Sequence, residues 1–432
     1  MSSAPWRFRF TSGPGDGGTS DPVITLSKRD YRDRSVHLEL LAHAGPPPDW
    51  AYDLVTVARA AHLADRRVPR KQEFDQWTRT IELSVQVLAP EVWTAAVRDA
   101  LGSLLSTLTG NAWQVTVEGG ACPPDPTLLT VCGATEVALF SGGLDSTSFA
   151  AERAGAREGP LFLVTCGQAQ LTSQVGAVRD AVQSGANRRL TLQRMPLLPR
   201  AGDREMDPSN RSRGLTFVAC AVLHAAAQGV STVSIPENGQ VAINPPLTLS
   251  RLAACSTRSV HPWVLDRVNW LIEDIGGDVT VRNPLVGHTK GEVCMAAKCA
   301  GLSPHDLVRT VSCAHPLSAR RGSTSYHCGA CFPCLIRRSG MHHALGDDPT
   351  HYRRTLSDIA LEEKGADLRA IVRWLSRPFA VLDVVADMPL PDDINPHDLV
   401  AVLRRGRREL SAMIEHSLPA ASLRALAWDP RP

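Results

Sequence analysis

The chain has no excess of charge of either sign: 46 Lys and Arg stand against 44 Asp and Glu over 432 residues. Bulk electrostatics therefore calls for neither nucleic acid nor a membrane surface as a partner, leaving only local basic patches to consider. No stretch reaches the roughly 18 uninterrupted apolar residues that a membrane helix requires. The first ten residues also lack the apolar run of a secretion signal. Together these absences make a cytoplasmic location the expectation. Internal repeats and long low-complexity tracts are missing too. What is present is a hydrophobic fraction of 43%, enough for a folded protein. The length exceeds one core, so two or three units are expected. Eleven cysteines, in a reducing compartment, point to metal ligation or buried thiols rather than disulfides.

Residues 6–129 alternate short strand-like runs, at 36–40 and 80–85, with helical segments at 53–64 and 91–108. This pattern predicts a small α+β domain over 1–130. Loops are expected at 13–18 and 46–48, where Gly and Pro cluster, and Cys122-Pro123-Pro124-Asp125-Pro126 reads as the linker out. Over 131–345 buried-type strands (136–140, 161–166, 190–192, 232–235, 279–281) alternate with helical segments (146–154, 175–184, 214–228, 290–300). That alternation predicts an α/β domain whose parallel sheet has helices on both faces. Ligands of such sheets bind beyond the carboxyl ends of the strands. Residues 346–432 form a mostly helical tail, with main segments at 367–375, 397–414 and 421–426.

The apolar run Val137-Ala138-Leu139-Phe140 leads at once into Ser141-Gly142-Gly143-Leu144-Asp145-Ser146-Thr147. Two adjacent glycines let backbone approach an anion, and a helix start offers unpaired N–H groups at the positive end of its dipole. Ser141, Ser146 and Thr147 add hydroxyl donors. Without Gly-Lys-Ser/Thr, a P-loop transferring a terminal phosphate is not favoured. Asp145 beside phosphates suits a magnesium ligand or an orienting group. The plain alternative is a strand-to-helix turn with Asp145 as cap. A second cluster, Cys313, Cys328, Cys331 and Cys334, has the spacing C-x14-C-x2-C-x2-C. Four thiolates with no open position suit structural zinc. An iron–sulfur cluster and buried thiols are the other readings. The scattered Cys166, Cys220, Cys255, Cys294 and Cys299 read as core.

The Ser-Gly-Gly-Leu-Asp-Ser string resembles the PP-loop of the N-type ATP pyrophosphatases, a HUP-like fold. The resemblance implies ATP cleaved between its α and β phosphates, pyrophosphate held by residues Phe140, Ser141, Gly142, Gly143, Leu144, Asp145, Ser146 and Thr147, and a substrate left carrying AMP. With the cysteine string, residues 136–338 resemble the 7-cyano-7-deazaguanine synthase (QueC) family. That likeness implies ATP and Mg2+, Zn2+ on the four cysteines, and activation of a 7-deazaguanine carboxylate for attack by ammonia. Lys290 resembles a family lysine at a helix start, so Ser141, Asp145 and Lys290 are the candidate catalytic residues. Thr289 and Glu292 around it have the form of a capping box.

Arg211 and Arg213 are candidates to hold an anion, against a solvated loop. Glu237 and Asn238, after a strand, are candidates to contact substrate, against an ordinary turn. The extra N-terminal and C-terminal regions depart from biosynthetic members. They resemble QueC-like proteins of bacterial anti-phage defence, the QatC group of the Qat system in particular. The likeness implies partner proteins of a defence operon, with a protein amine as a further acceptor. Two alternatives remain. One is tRNA thiolation, with Cys166 as its thiol and Arg404, Arg405, Arg407 and Arg408 as a phosphate patch. The other is a nucleotide-binding scaffold that does not turn over.

Overall fold

A computed structural model describes residues 4–11, 23–27, 30, 46–122, 133–156, 159–166, 169–186, 191–195, 206–247, 258–314, 327–361, 365–386 and 388–430. The expected strand at 36–40, the loop at 13–18 and the linker residues 123–126 lie outside them.

Alternation of apolar and polar residues shapes the first sheet. In β1 (Trp6–Thr11) Phe8 and Phe10 turn inward, while Arg7 and Arg9 face solvent and pair with Glu82 (2.8 Å) and Glu118 (2.7 Å) on other strands. β2 (Val23–Ser27) lies beside it, then the chain passes through helix α1 (Asp49–Arg67) to β3 (Thr80–Gln86), and through α2 (Ala95–Thr109) to β4 (Ala112–Glu118). The order is β2-β1-β3-β4, and every pairing is parallel. This unit is therefore α/β rather than α+β. Its strands alternate because one sheet face is left to solvent, whereas parallel strands covered on both faces read as continuous apolar runs. The helix expected over 91–108 begins later, at Ala95, because Thr94 caps it by accepting the Val97 N–H (3.4 Å).

The second unit runs β5 (Glu136–Leu139), α3 (Leu144–Gly155), β6 (Leu161–Cys166), α4 (Ala169–Ala186), β7 (Thr191–Met195), α5 (Arg213–Ala227), β8 (Thr232–Ser234), α6 (Gly239–Ile243), α7 (Pro262–Asp274), β9 (Thr280–Arg282) and α8 (Lys290–Cys299). Its order is β7-β6-β5-β8-β9, all parallel. Val137, Phe162, Val164 and Val233 pack with α5 and α7, and the intervening Ala138, Phe140, Leu161 and Leu163 pack with α3, α4 and α8. Helices thus cover both faces, as the strand pattern predicts. A short α9 (Pro304–Arg309) leads to α10 (Phe332–Leu345). The tail follows as α11 (Leu356–Leu361), α12 (Ala366–Leu375), α13 (Leu382–Val385), α14 (Pro396–Ser417) and α15 (Ala420–Ala425). It has its own core, joined by Val241, Ile243 and Leu335 of the second unit.

The two sheets do not have separate cores. Every residue of α1 from Ala51 to Asp65 is buried, because the helix packs on β3 with one side and on α5 with the other. Its polar residues are matched across this seam. Asp65 forms a fully buried ion pair with Arg79 and accepts from the Ser212 hydroxyl (2.7 Å). That hydroxyl, its proton committed to a carboxylate, accepts from His62 Nδ1 (3.0 Å), so the His62 proton sits on Nδ1.

Burial, with Arg66 and Arg213 nearby, pushes the His62 pKa down to about 3, and burial beside Arg258 lowers that of His261 to about 4. The unfolded chain takes up these protons near pH 6.5 and the folded chain only at lower pH. Stability is therefore full above about pH 6.5 and falls as pH drops toward 3. Between pH 7.5 and pH 5 each histidine is expected to remove about 2 kcal/mol, read from urea unfolding. An unfolding free energy equally pH-dependent in His62→Gln/His261→Asn would refute this origin.

Candidate functional site

The turn after β5 is held from three sides. Phe140 N–H donates to Val164 O (2.8 Å), which ties the strand end into the sheet. Gly142 has φ 72°, a conformation open to glycine, and a Cβ there would press on Val175 at 3.1 Å. Gly143 instead yields space: a Cβ would meet Val311 O at 3.1 Å. The chain at 311–312 can lie against the turn for that reason. Val311 N–H donates to Gly142 O (3.1 Å), and the Ser312 hydroxyl accepts from Leu144 N–H (3.3 Å). Ser141 Oγ meets Ser146 Oγ (3.2 Å) and accepts from Gly143 N–H (3.2 Å). The first helical bond of α3 is Thr147 N–H to Gly143 O (3.0 Å), so the N–H groups of Asp145 and Ser146 precede the helical ladder, as at any helix start.

Asp145 is buried and anchors the next layer. Its Oδ2 accepts from Lys290 Nζ (2.7 Å) and Asn238 Nδ2 (2.9 Å). Burial alone would raise this carboxyl, but Lys290 and the hydrogen bonds outweigh it and hold it below its ordinary value. The carboxyl of Glu237 adds a further hydrogen bond to the buried Asp145. Glu237 moves the other way: burial, then the charge of Asp145, push it well above the carboxylate range, so it keeps its proton.

Lys290 opens α8. Thr289 and Glu292 form the expected capping box, and the Lys290 N–H donates to Gln240 Oε1 (2.9 Å). Glu409 of α14 accepts from Gly291 N–H (3.0 Å) and from the Thr289 hydroxyl. A carboxylate at a helix N-terminus is favourable. The tail is thereby built into the support of the lysine.

Cys313 continues the segment that touches the turn. Sγ atoms of Cys313, Cys328, Cys331 and Cys334 all lie within 4.8 Å of one another, and the Cys313–Cys331 and Cys328–Cys334 pairs are 3.9 Å apart. Four thiolates at about 2.3 Å from one tetrahedral ion are spaced by about 3.8 Å. The cluster can hold a metal such as zinc. Backbone N–H groups of Cys328, Ala330 and Cys331 point at sulfur (3.4–3.5 Å), the outer support that thiolates need.

These parts border one cleft of about 1010 Å³. Ser141, Gly143, Leu144, Asp145, Glu237, Lys290, Arg211 and Arg213 line it. Phe140, Gly142, Ser146 and Thr147 stand behind its wall. Asn238 does not line it either: its Oδ1 caps α6 by accepting the Val241 N–H (3.3 Å) while its Nδ2 holds Asp145. As a substrate contact Asn238 is displaced by these two duties. The expected arginine patch is also dispersed. Buried Arg407 donates to Trp374, Leu375 and Arg377 carbonyls, Arg405 pairs with Glu292 (2.5 Å), and Arg404 bonds Phe379 O. Sequence reading missed Gln240 and Glu409, which carry no motif, and the cleft residues Arg70, Lys71 and Trp77, which lie in a unit with no recognisable site.

Two outcomes test this geometry. Lys290→Met leaves a buried carboxylate unpaired and is expected to cost about 3 kcal/mol of stability. Asp145→Asn/Lys290→Met should recover a part of that cost. Additive losses in urea unfolding would show the pair to be uncoupled. Metal analysis of the purified chain should give about one tetrahedral ion, abolished in Cys331→Ser/Cys334→Ser. Equal metal content in both would remove the site.

No protein-family model matches the chain, and no curated protein does either.

Proposed function

We propose that this chain is an ATP-dependent adenylating ligase of the QueC-like kind, with a PP-loop at Ser141 to Ser146. One observation carries the reading. A Gly-Gly turn at the carboxyl end of the central parallel strand opens on the same cleft as a buried aspartate–lysine pair. Such a turn suits the phosphates of ATP. Asp145, with Glu237 beside it in the cleft lining, is the group that would hold a magnesium ion, which would supply charge neutralisation at the departing pyrophosphate. Lys290 and the α3 N-terminus add positive charge where negative charge develops. Cys313, Cys328, Cys331 and Cys334 would hold zinc in a structural part, which would fix residues 311–313 against the turn.

The chemistry has two displacements. A carboxylate oxygen of the acid attacks the α-phosphorus, the bond to the β-phosphate oxygen breaks, and pyrophosphate leaves. An amine nitrogen then attacks the acyl carbon, the bond to AMP breaks, and the nitrogen loses a proton. On the sequence resemblance the acid is a 7-deazaguanine-type carboxylate and the amine is ammonia or a group on a partner protein, in anti-phage defence. Among the described residues no helix is long and apolar enough to cross a membrane.

Thiolation gains no support. The Cys166 thiol is raised well above its ordinary value by its hydrogen bond with Cys220 and by burial, so it is a poor source of thiolate. The test is pyrophosphate release from ATP with candidate acids. Asp145→Ala is expected to slow it by about 100-fold; equal release from both proteins would end the proposal.

A further inference from the structure

β4 lies at the edge of the first sheet, with β3 on one side and, among the described residues, no strand on the other. Two bonds show which of its main-chain groups are taken. Ala112 N–H donates to Arg79 O (2.9 Å), and Glu118 O accepts from Val87 N–H (2.9 Å). In the unbroken parallel register with β3, the N–H and C=O groups of Ala112, Gln114, Thr116 and Glu118 therefore point at β3. Those of Trp113, Val115 and Val117 point away from it, and no described residue bonds to them. The chain leaving β4 does not fold back over this row. It crosses to the end of β3, where Ala121 N–H donates to Val87 O (3.3 Å).

A free edge of this kind is ordinarily blunted by lysine, proline or a bulge. β4 has none of these: it reads Ala-Trp-Gln-Val-Thr-Val-Glu and keeps its register from Ala112 to Glu118. Its one charge, on Glu118, is paired with Arg9 (2.7 Å). The apolar side chains on its inner face are incompletely covered. Val115 is buried, but Trp113 and Val117 on either side of it are only partly so. Free main-chain groups and half-covered apolar side chains thus lie along the same seven residues.

The sequence of β4 matches its own reverse. Around a two-fold axis through Val115 and perpendicular to the sheet, the strand meets a second copy of itself running antiparallel. Val115 then faces Val115 of the second copy and Trp113 faces Val117. Because all three residues direct their main-chain groups outward, each such pair exchanges both N–H···O bonds. On the open face Gln114 falls opposite Thr116 and Ala112 opposite Glu118, so polar side chains meet and no like charges do. An interface on a two-fold axis needs this self-match, in which one residue meets a second and the second meets the first. The same axis keeps the helices of both copies on one side of the joined sheet.

We infer that β4 is a docking edge for a second copy of this chain, joined strand to strand about Val115 into one sheet continuous across two subunits. Nothing in this pairing depends on the proposed adenylation.

Sedimentation equilibrium of the full chain, from about 1 µM to about 100 µM, tests the pairing. Its mass is expected to rise with concentration from that of one 46.6 kDa chain toward that of two. Gln114 and Thr116 are exposed, so Gln114→Lys/Thr116→Lys is expected to leave the urea midpoint of the dilute protein unchanged. It sets lysine against lysine across the axis and should weaken association by about tenfold or more. Gln114→Glu/Thr116→Glu should do the same alone, and an equal mixture of the two variants should associate at least as strongly as the unaltered chain. A single-chain mass at every concentration would overturn the inference, leaving the edge to an extended segment of another protein. Association that the lysines do not weaken would place the contact on another surface, and a mixture that stays monomeric would remove the register; either overturns it too.

Discussion

The buried ion pair between Asp145 and Lys290 is the constraint around which the rest is arranged. Two charges removed from water are costly unless hydrogen bonds complete their shells. Here each partner sits at the start of a different helix, and each start is held by other segments: Asn238 binds Asp145, Gln240 takes the Lys290 N–H, and Glu409 takes that of Gly291. Glycine makes the approach of these elements feasible. A Cβ on Gly340 of α10 would strike the Lys290 backbone at 2.9 Å, and one on Gly291 would strike Glu409. The C-terminal helices are consequently part of the lysine's environment rather than an appendage.

A second constraint lies at the seam between the sheets. Asp65, Arg79, His62 and Ser212 are buried polar groups that satisfy one another. Such a network specifies one arrangement, because sliding either unit would leave donors without acceptors in a dry interface. The network ends at residues 207–213, where the arginines enter the cleft. The same contacts that fix the orientation of the two units therefore fix the shape of the site between them.

Local pattern made much of this visible in advance. The strand-turn-helix at Phe140 to Thr147, the cysteine spacing and the Thr289–Glu292 box are contiguous signals, each with a meaning independent of the rest of the chain. The parallel sheet of the second unit was legible because its strands are apolar on both faces. The first sheet misled for the opposite reason, since an exposed face imposes the alternation usually seen in antiparallel sheets. Asn238 shows the limit of motif reading. It follows a strand end, where a ligand contact is expected, yet its two side-chain groups are taken by Asp145 and by the α6 cap. The cap is local, three residues away, but Asp145 lies 93 residues away, and no local window contains it.

The cysteine cluster and the turn are linked by the same logic. Ser312 lies between Cys313 and Val311, and its hydroxyl occupies the Leu144 N–H, while Ser141 takes that of Gly143. The turn therefore keeps its donors paired by hydroxyl groups, which rotate at little cost, instead of leaving them orphaned in a buried wall. Ser312 is held in register with Leu144 by its hydrogen bond, and the cysteine cluster begins one residue further along the chain.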